Sequence, residues 1–422
     1  MEIKSSILKE NYTKIVHKSG LTLLLYPKEQ FKTSYAMITA GIGSIDNTFT
    51  IEGEETIHVP DGVAHFLEHK LFESEDGDSF GRYSALGASA NAYTTFDRTA
   101  YYFSCTENFK ESLKVLIEQC THPYFTAETV EKEQGIIGQE IRMYEDDPSW
   151  RVYFNLLGSL FNTHPIKIDI AGTKESIAEI TDKTLYTCHR AFYNLNNMVL
   201  TCTGNFKVEE VLEVCDELLS SDMALKVTKA PIIEGEGIVK PYAFEAFPVA
   251  APLFQLGFKG KDKGFPSNFF NSVVGEIVAE CIAGEGSDLY RELYDKSLVN
   301  TEFDTEIMAG PSYMVTMFAG ESKNPKLTAQ KIKEEIKRLQ SEGIDEGSFI
   351  RAKKCCYGRF VDTFTSCEGT AFNLAQCHFA KEEPYSVLER LASVTIDEAE
   401  AFLRENLDLD KCALSIVAKE EL

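Results

Sequence analysis

The chain has 422 residues, 44% of them hydrophobic and 26% charged, with a formal net charge of −24. It is too long for one ordinary hydrophobic core and too acidic for nucleic acid, and no apolar run reaches membrane length. Two or more domains are expected, with neither nucleic acid nor membrane as a partner. The acidity reads either as plain solvation or as a preference for cationic ligands. Met1–Ser6 carries no apolar leader, and eleven scattered cysteines without a C-x-x-C pair read as free thiols of a reducing cytoplasm.

In chain order, residues 12–18 and 21–27 predict paired strands around Ser19-Gly20, and a third strand covers about 33–41. A helix beginning near Asp61-Gly62 comes next, then strands at about 89–95 and 99–105 with Asp97-Arg98 between them. Helices at about 107–119 and 126–145, more helix to about 193 and a strand at 197–203 complete the half. The order then repeats. Asp182 and Asp397 each open a helix leading to a strand, and they stand 215 residues apart; the strands starting at Asn197 and Lys411 stand 214 apart. A period this long marks duplicated domains within an α+β fold. The expected division is 1–220, a linker at 221–240 where Lys229-Ala230-Pro231 and Gly235-Glu236-Gly237 break the pattern, and 241–422.

The first predicted helix carries His65-Phe66-Leu67-Glu68-His69, the H-x-x-E-H arrangement of the inverzincin metallopeptidases. Two histidines four apart share a helix face and can grip one Zn²⁺, with Glu68 beside them to take a proton from its water. Two imidazoles leave zinc short of a ligand. The helix at 126–145 offers Glu133 and Glu140, seven apart and nearly aligned, next to an apolar stripe of Ile136, Ile137 and Ile141 that would pack it inward. The second half has no H-x-x-E-H. On the register set by Thr126 and Asp345, Glu133 and Glu140 fall opposite Ala352 and Arg359. One half is expected to bind metal and the other to be structural. His122 and His164, each before a proline, read as loop residues.

The chain resembles the pitrilysin-type (M16) metallopeptidases, especially their small bacterial M16B processing-peptidase branch. The text that carries this is His65-Phe-Leu-Glu-His69-Lys-Leu-Phe, Gly87-Ala-Ser-Ala-Asn91-Ala-Tyr-Thr94, and Glu131-Lys-Glu133 through Glu140-Ile-Arg-Met143. Asp146-Asp147-Pro148, His164-Pro165 and Ala171-Gly172-Thr173 add to it. The resemblance implies two homologous M16-type α/β domains forming half of a clam-shell. It implies His65, His69 and Glu140 as zinc ligands, Glu68 as the general base, and Glu133 as a supporting acid. It also implies that Asn91, Ala92, Tyr93 and Thr94 form an edge strand receiving an extended peptide, where the residues alone allow an ordinary sheet strand.

One family feature is missing. Active members bring an arginine and a tyrosine from the second half, near L-R-x-x-x-x-L-x-Y, whereas this chain has Leu293-Tyr294-Asp295-Lys296-Ser297-Leu298-Val299-Asn300-Thr301. Arg291 and Tyr290 lie nearby but out of register. The expectation is a cytoplasmic zinc endopeptidase for short or unfolded peptides, in leader removal or peptide turnover. It would be dimeric, as a heterodimer with an M16-like subunit carrying the Arg/Tyr pair or as a homodimer. The competing reading is a non-catalytic M16-like scaffold or peptide-binding subunit.

Overall fold

The structure, a computed structural model, describes residues 1–75, 77–220 and 225–421. Strands β1 (Glu2–Ser5), β2 (Glu10–Val16), β3 (Thr22–Pro27) and β4 (Ser34–Ala40) open the chain, followed by the short pair β5 (Thr48–Ile51) and β6 (Thr56–His58). Helix α1 (Val63–Lys70) precedes a small hairpin, β7 (Glu73–Ser74) and β8 (Gly77–Asp78), and α2 (Ser79–Ala85). Then come β9 (Ser89–Thr94), β10 (Thr99–Cys105), α3 (Phe109–Thr121), α4 (Ala127–Glu145), α5 (Pro148–Leu160), α6 (Lys174–Ala178), α7 (Asp182–Phe192), β11 (Met198–Gly204) and α8 (Val208–Leu218).

The second half runs β12 (Val227–Lys229), β13 (Tyr242–Ala246), β14 (Leu253–Lys259), α9 (Ser267–Ala283), α10 (Asp288–Asp295), β15 (Asp304–Gly310) and β16 (Tyr313–Glu321). Helices α11 (Pro325–Glu342), α12 (Glu346–Asp362), α13 (Cys367–Phe379), α14 (Pro384–Ser393) and α15 (Ile396–Asn406) lead to the last strand, β17 (Cys412–Ala418). Among the described residues no helix is long and apolar enough to cross a membrane.

Two sheets carry the fold. The first has the order β1-β2-β3-β11-β4-β10-β9, the second β13-β17-β14-β16-β15. In each, the last strand in sequence lies parallel to one neighbour and antiparallel to the other, as β11 does between β3 and β4 and β17 between β13 and β14. The second sheet thus repeats the last five strands of the first, and β9 and β15 occupy equivalent free edges. Part of the stretch expected as linker is itself in a strand: β12 pairs with β5 beside β6.

Each sheet is covered on one face by helices of its own half and on the other by a helix of the opposite half. Leu156, Leu157 and Leu160 of α5, with Phe161, pack on Met308, Val315, Met317 and Ala413 of the second sheet. Gly257 of β14 admits this helix, because a Cβ there would stand 2.7 Å from Leu156. In return, Ala371, Leu374 and Ala375 of α13 pack on Leu24, Tyr35, Met37 and Val199 of the first sheet.

Candidate active site

Helix α1 is placed by its N-terminus. Gly62 caps it at φ 89°, and a Cβ there would meet the Ala171 carbonyl at 2.4 Å, so only glycine fits this approach. Ser176 Oγ donates to the Asp61 carbonyl at 2.8 Å, fastening the same junction. The Ala171-Gly172-Thr173 stretch is therefore the seat of the histidine helix. Phe66 and Leu67 sink into the core, leaving Glu68 and His69 half-buried.

Helix α4 lies against α1. A capping box of Thr126 and Thr129 fixes its start. Its inward face is Val130, Glu133, Ile137, Gly138 and Ile141. Ile136, expected in the apolar stripe, is 45% exposed: the i, i+3, i+7 spacing from Val130 selects Glu133 and Ile137 and turns residue 136 outward.

Three donors converge. Ligand-capable atoms of His65, His69 and Glu140 lie within 4.8 Å of one another. Glu140 Oε1 is 3.7 Å from His65 Nε2, and Glu140 Oε2 is 3.3 Å from His69 Nε2. Donors at zinc distances around a tetrahedral ion stand about 3.3 Å apart, so the separations suit such an ion. Glu133, 6% exposed, accepts from His69 Nδ1 at 2.9 Å and leaves Nε2 facing Glu140. His65 Nδ1 is buried without a hydrogen-bond partner, so its Nε2 is the nitrogen with a polar neighbour.

The electrostatics call for positive charge among these groups. The hydrogen bond from His69, helped by His65 and Tyr144 and opposed by burial, holds the Glu140 carboxyl down to about 2. Burial would lower His69, but its bonds to Glu133 and Glu140 push it up to about 10. Burial, then His69, presses His65 down to about 4. A divalent ion satisfies two carboxylates and two imidazoles better than a single proton can, and the donor set fits zinc.

Glu68 is not one of the three converging donors, though His69 and Glu140 lie close enough to act on its charge. Its Oε2 accepts from Thr94 Oγ1 at 2.5 Å, and burial raises its pKa above the usual carboxylate value. Thr94, expected as part of the peptide-receiving strand, thus ties that strand to Glu68. Strand β9 is one edge of the first sheet, β1 being the other. Thr95 N–H bonds Arg98 O across the turn, and alternate residues bond the partner strand, so the Ala92 N–H faces outward. There Asn91 Oδ1 accepts it at 2.9 Å.

One neighbour of the site was missed in the sequence. Tyr144 donates to Glu140 Oε1 at 2.8 Å, one helical turn on, a spacing that could have been read. Tyr144 also stacks on Trp150 at 4.6 Å, joining α4 to α5. His164, expected as a loop residue, is fully buried and reaches Ser312 Oγ at 3.0 Å, linking the halves. The residues near the missing Arg/Tyr positions are engaged elsewhere: Arg291 pairs with Asp288, Asn300 donates to Glu321, and Tyr294 is 48% exposed.

In the second half, the α12 position equivalent to Glu140 is Arg359, and it forms an ion pair with Glu280 of α9 at 2.7 Å. Both helices start from capping side chains, Thr126 and Asp345, which supports this register.

A histidine-bearing helix, a buried acid on an adjacent helix and a free sheet edge beside them define a metallopeptidase-type site. Residues 29–174 match the family described as "Insulinase (Peptidase family M16)", and residues 179–355 match "Peptidase M16 inactive domain". An "Uncharacterized zinc protease YmfH" of Bacillus subtilis is 35% identical over 399 residues, covering 93% of both chains. The crystal structure of an M16-like peptidase from Alicyclobacillus acidocaldarius superposes with TM-score 0.93 at 33% identity, over 96% of this chain and 97% of that one. A protease structure from Helicobacter pylori, 18% identical, shares the fold with TM-score 0.82, over 96% of this chain and 99% of that one. The chain belongs to peptidase family M16.

Proposed function

We propose that this chain is a zinc-dependent endopeptidase acting on short or unfolded peptides, for leader removal or general turnover, and that it works with a second chain of the same family. The observation that carries the reading is Glu68, held by Thr94 of a free edge strand and set beside His65, His69 and Glu140. The zinc protease of Bacillus subtilis supports the metal and the reaction. Held by His65, His69 and Glu140, zinc would make its water acidic and polarise the scissile carbonyl.

The chain's own residues do the rest. An extended peptide pairs its backbone with the outward groups of β9, at Ala92 and its alternate neighbours, with Asn91, Tyr93 and Thr94 around them. Glu68 takes a proton from the attacking water and passes it to the leaving amine. Glu133 holds the His69 ring in orientation. Eleven free cysteines support a reducing, cytoplasmic setting.

A partner is proposed because Tyr294, Asn300 and Arg291 make contacts of their own away from the metal donors. Positioned donors to a developing oxyanion are worth about 10²–10³ in rate each. The test is cleavage of a quenched peptide library by the zinc-loaded chain, alone and with a neighbour-encoded M16 chain. Slow cleavage alone, raised by the partner, is expected. Full activity alone, abolished by Arg291→Ala, would instead make the chain self-sufficient and a homodimer.

A further inference from the structure

The three metal-capable donors come from two helices, His65 and His69 from α1 and Glu140 from α4. Their spacing therefore depends on how firmly α4 is tied to the start of α1. A continuous run of contacts makes that tie. Tyr144 donates to Glu140 Oε1 at 2.8 Å, and its ring stacks on Trp150 of α5 at 4.6 Å with the planes 17° apart. Trp150 Nε1 donates to Asp169 Oδ2, and Asp169 Oδ1 accepts from the Ala171 N–H at 2.8 Å. The Ala171 carbonyl is the atom against which Gly62, the N-cap of α1, is fitted.

The run starts at one donor and ends at the helix that carries the other two. Tyr144 occupies one lone pair of Glu140 Oε1, and Oε2 stands 3.3 Å from His69 Nε2. A carboxylate held in this way loses the freedom to rotate out of the donor set. Asp169 lies near enough to Glu140 to feel its charge: burial raises its pKa, Glu140 and Glu145 add to this, and the bonds from Trp150 and Ala171 oppose it. Those two donors keep an acid in place close to another acid. Glu133 supports His69 in the same manner, through Nδ1.

We propose that Tyr144, Trp150 and Asp169 are positioning residues that fasten Glu140 to the seat of the histidine helix, and that Trp150 reports whether the metal site is filled. The proposal rests on the reading that His65, His69 and Glu140 hold zinc. Partners that orient ligating side chains typically change metal affinity by about 10–100-fold when removed. A stack that merely joined α4 to α5 would contribute to stability and leave zinc affinity alone. Trp150 is the only tryptophan of the chain, so its emission comes from this one place.

The test uses the full chain, with zinc affinity read by competition against a chelator. Tyr144→Phe keeps the ring on Trp150 and removes the hydroxyl; Trp150→Phe keeps a ring on Tyr144 and removes the donor to Asp169. Each should weaken zinc about tenfold or more, with the melting temperature of the metal-free Tyr144→Phe chain nearly unchanged. The double variant should lose about as much as either single one, because a run of contacts cut twice is no worse than one cut once, whereas independent contacts multiply. Emission of the wild type should change on adding zinc, in step with the zinc content found by elemental analysis. Normal zinc affinity in Tyr144→Phe, losses that multiply in the double variant, or emission unmoved by bound zinc each overturn the proposal. Should Tyr144→Phe fail to fold, Trp150→Phe decides by itself, since it does not touch Glu140. Glu140→Gln separates the two readings: zinc kept at full affinity there removes the ligand and the tie with it, while zinc lost there but held normally by Tyr144→Phe overturns the tie alone.

Discussion

Glu68, Glu133 and Glu140 are three carboxylates within one site, and each has different contacts. Among the described residues Glu68 bonds to the edge strand's Thr94, and burial raises its pKa, as the proposed base would require. Glu68→Gln should keep fold and zinc but lose peptide hydrolysis by about 10²–10⁴ or more; near-normal turnover by the metal-loaded variant would assign the base elsewhere. Glu140→Gln should remove zinc, read by elemental analysis. Glu133 holds His69 from behind, and groups in that position typically change metal affinity by about 10–100-fold. Glu133→Gln should therefore bind zinc at full stoichiometry but surrender it to a weaker chelator; an unchanged affinity would make Glu133 a bystander. The two histidines and Glu68 were legible because one helix carries all three at fixed spacing. The Thr94 bond was not, since it joins residues 68 and 94 through a sheet edge whose position only the fold decides.

Among the elements, β9 is where sequence and fold meet most directly. Its alternation of small and larger residues marked a strand, but only the sheet order shows it to be an edge with outward backbone groups. Ala92→Pro would remove the outward N–H that Asn91 now caps and leave the zinc donors untouched. Cleavage should fall at least about tenfold with zinc content and melting temperature nearly preserved. Normal cleavage by a folded Ala92→Pro protein would rule out pairing through that donor. The helices were read well where caps and periodicity agreed, as for α4. The small β12-β5-β6 sheet was missed because strands of three or four residues leave no periodic trace. Where α5 would dock could not be read either, since its apolar face looks the same whichever sheet receives it.

The repeat of the whole molecule was legible in the spacing of Asp182 and Asp397, and the exchange of helices between halves was not. Two consequences follow at this scale. His164 joins the halves through Ser312, and burial pushes its pKa down to about 4, Glu234 and Asp262 opposing and Lys259 assisting. Unfolded, it titrates near 6.5, so the unfolded chain binds the extra proton between these values and stability falls as pH drops through that window. The loss should reach about 2 kcal/mol between pH 7 and 5. Glu234 is held at about 2 against the effect of burial, by Lys259 and backbone donors, and stays charged throughout. Thermal melts of His164→Gln should show correspondingly less loss between those pH values than the wild type; equal losses would place the acid sensitivity in other groups, His189 and His378 being candidates with pKa values lowered by burial to about 4.

The exchange also bears on whether the halves are independent. Leu156, Leu157, Leu160 and Phe161 are each 2% exposed or less, and their cover includes the second sheet. Burying one such side chain is worth about 1.5–3 kcal/mol, so four contribute on the order of 6–12 kcal/mol, comparable to the net stability of a typical domain at about 5–15 kcal/mol. Helix α13 places the second half under the same dependence through Leu374 and its neighbours on the first sheet. A 1–240 fragment and a 241–422 fragment should each fail to melt cooperatively alone and should expose apolar surface, while co-expression should recover a single cooperative unit of full mass by size exclusion. A 1–240 fragment that is monomeric and melts sharply by itself would show that the first half needs no cover from the second, and that the exchanged helices are attachments to two finished domains.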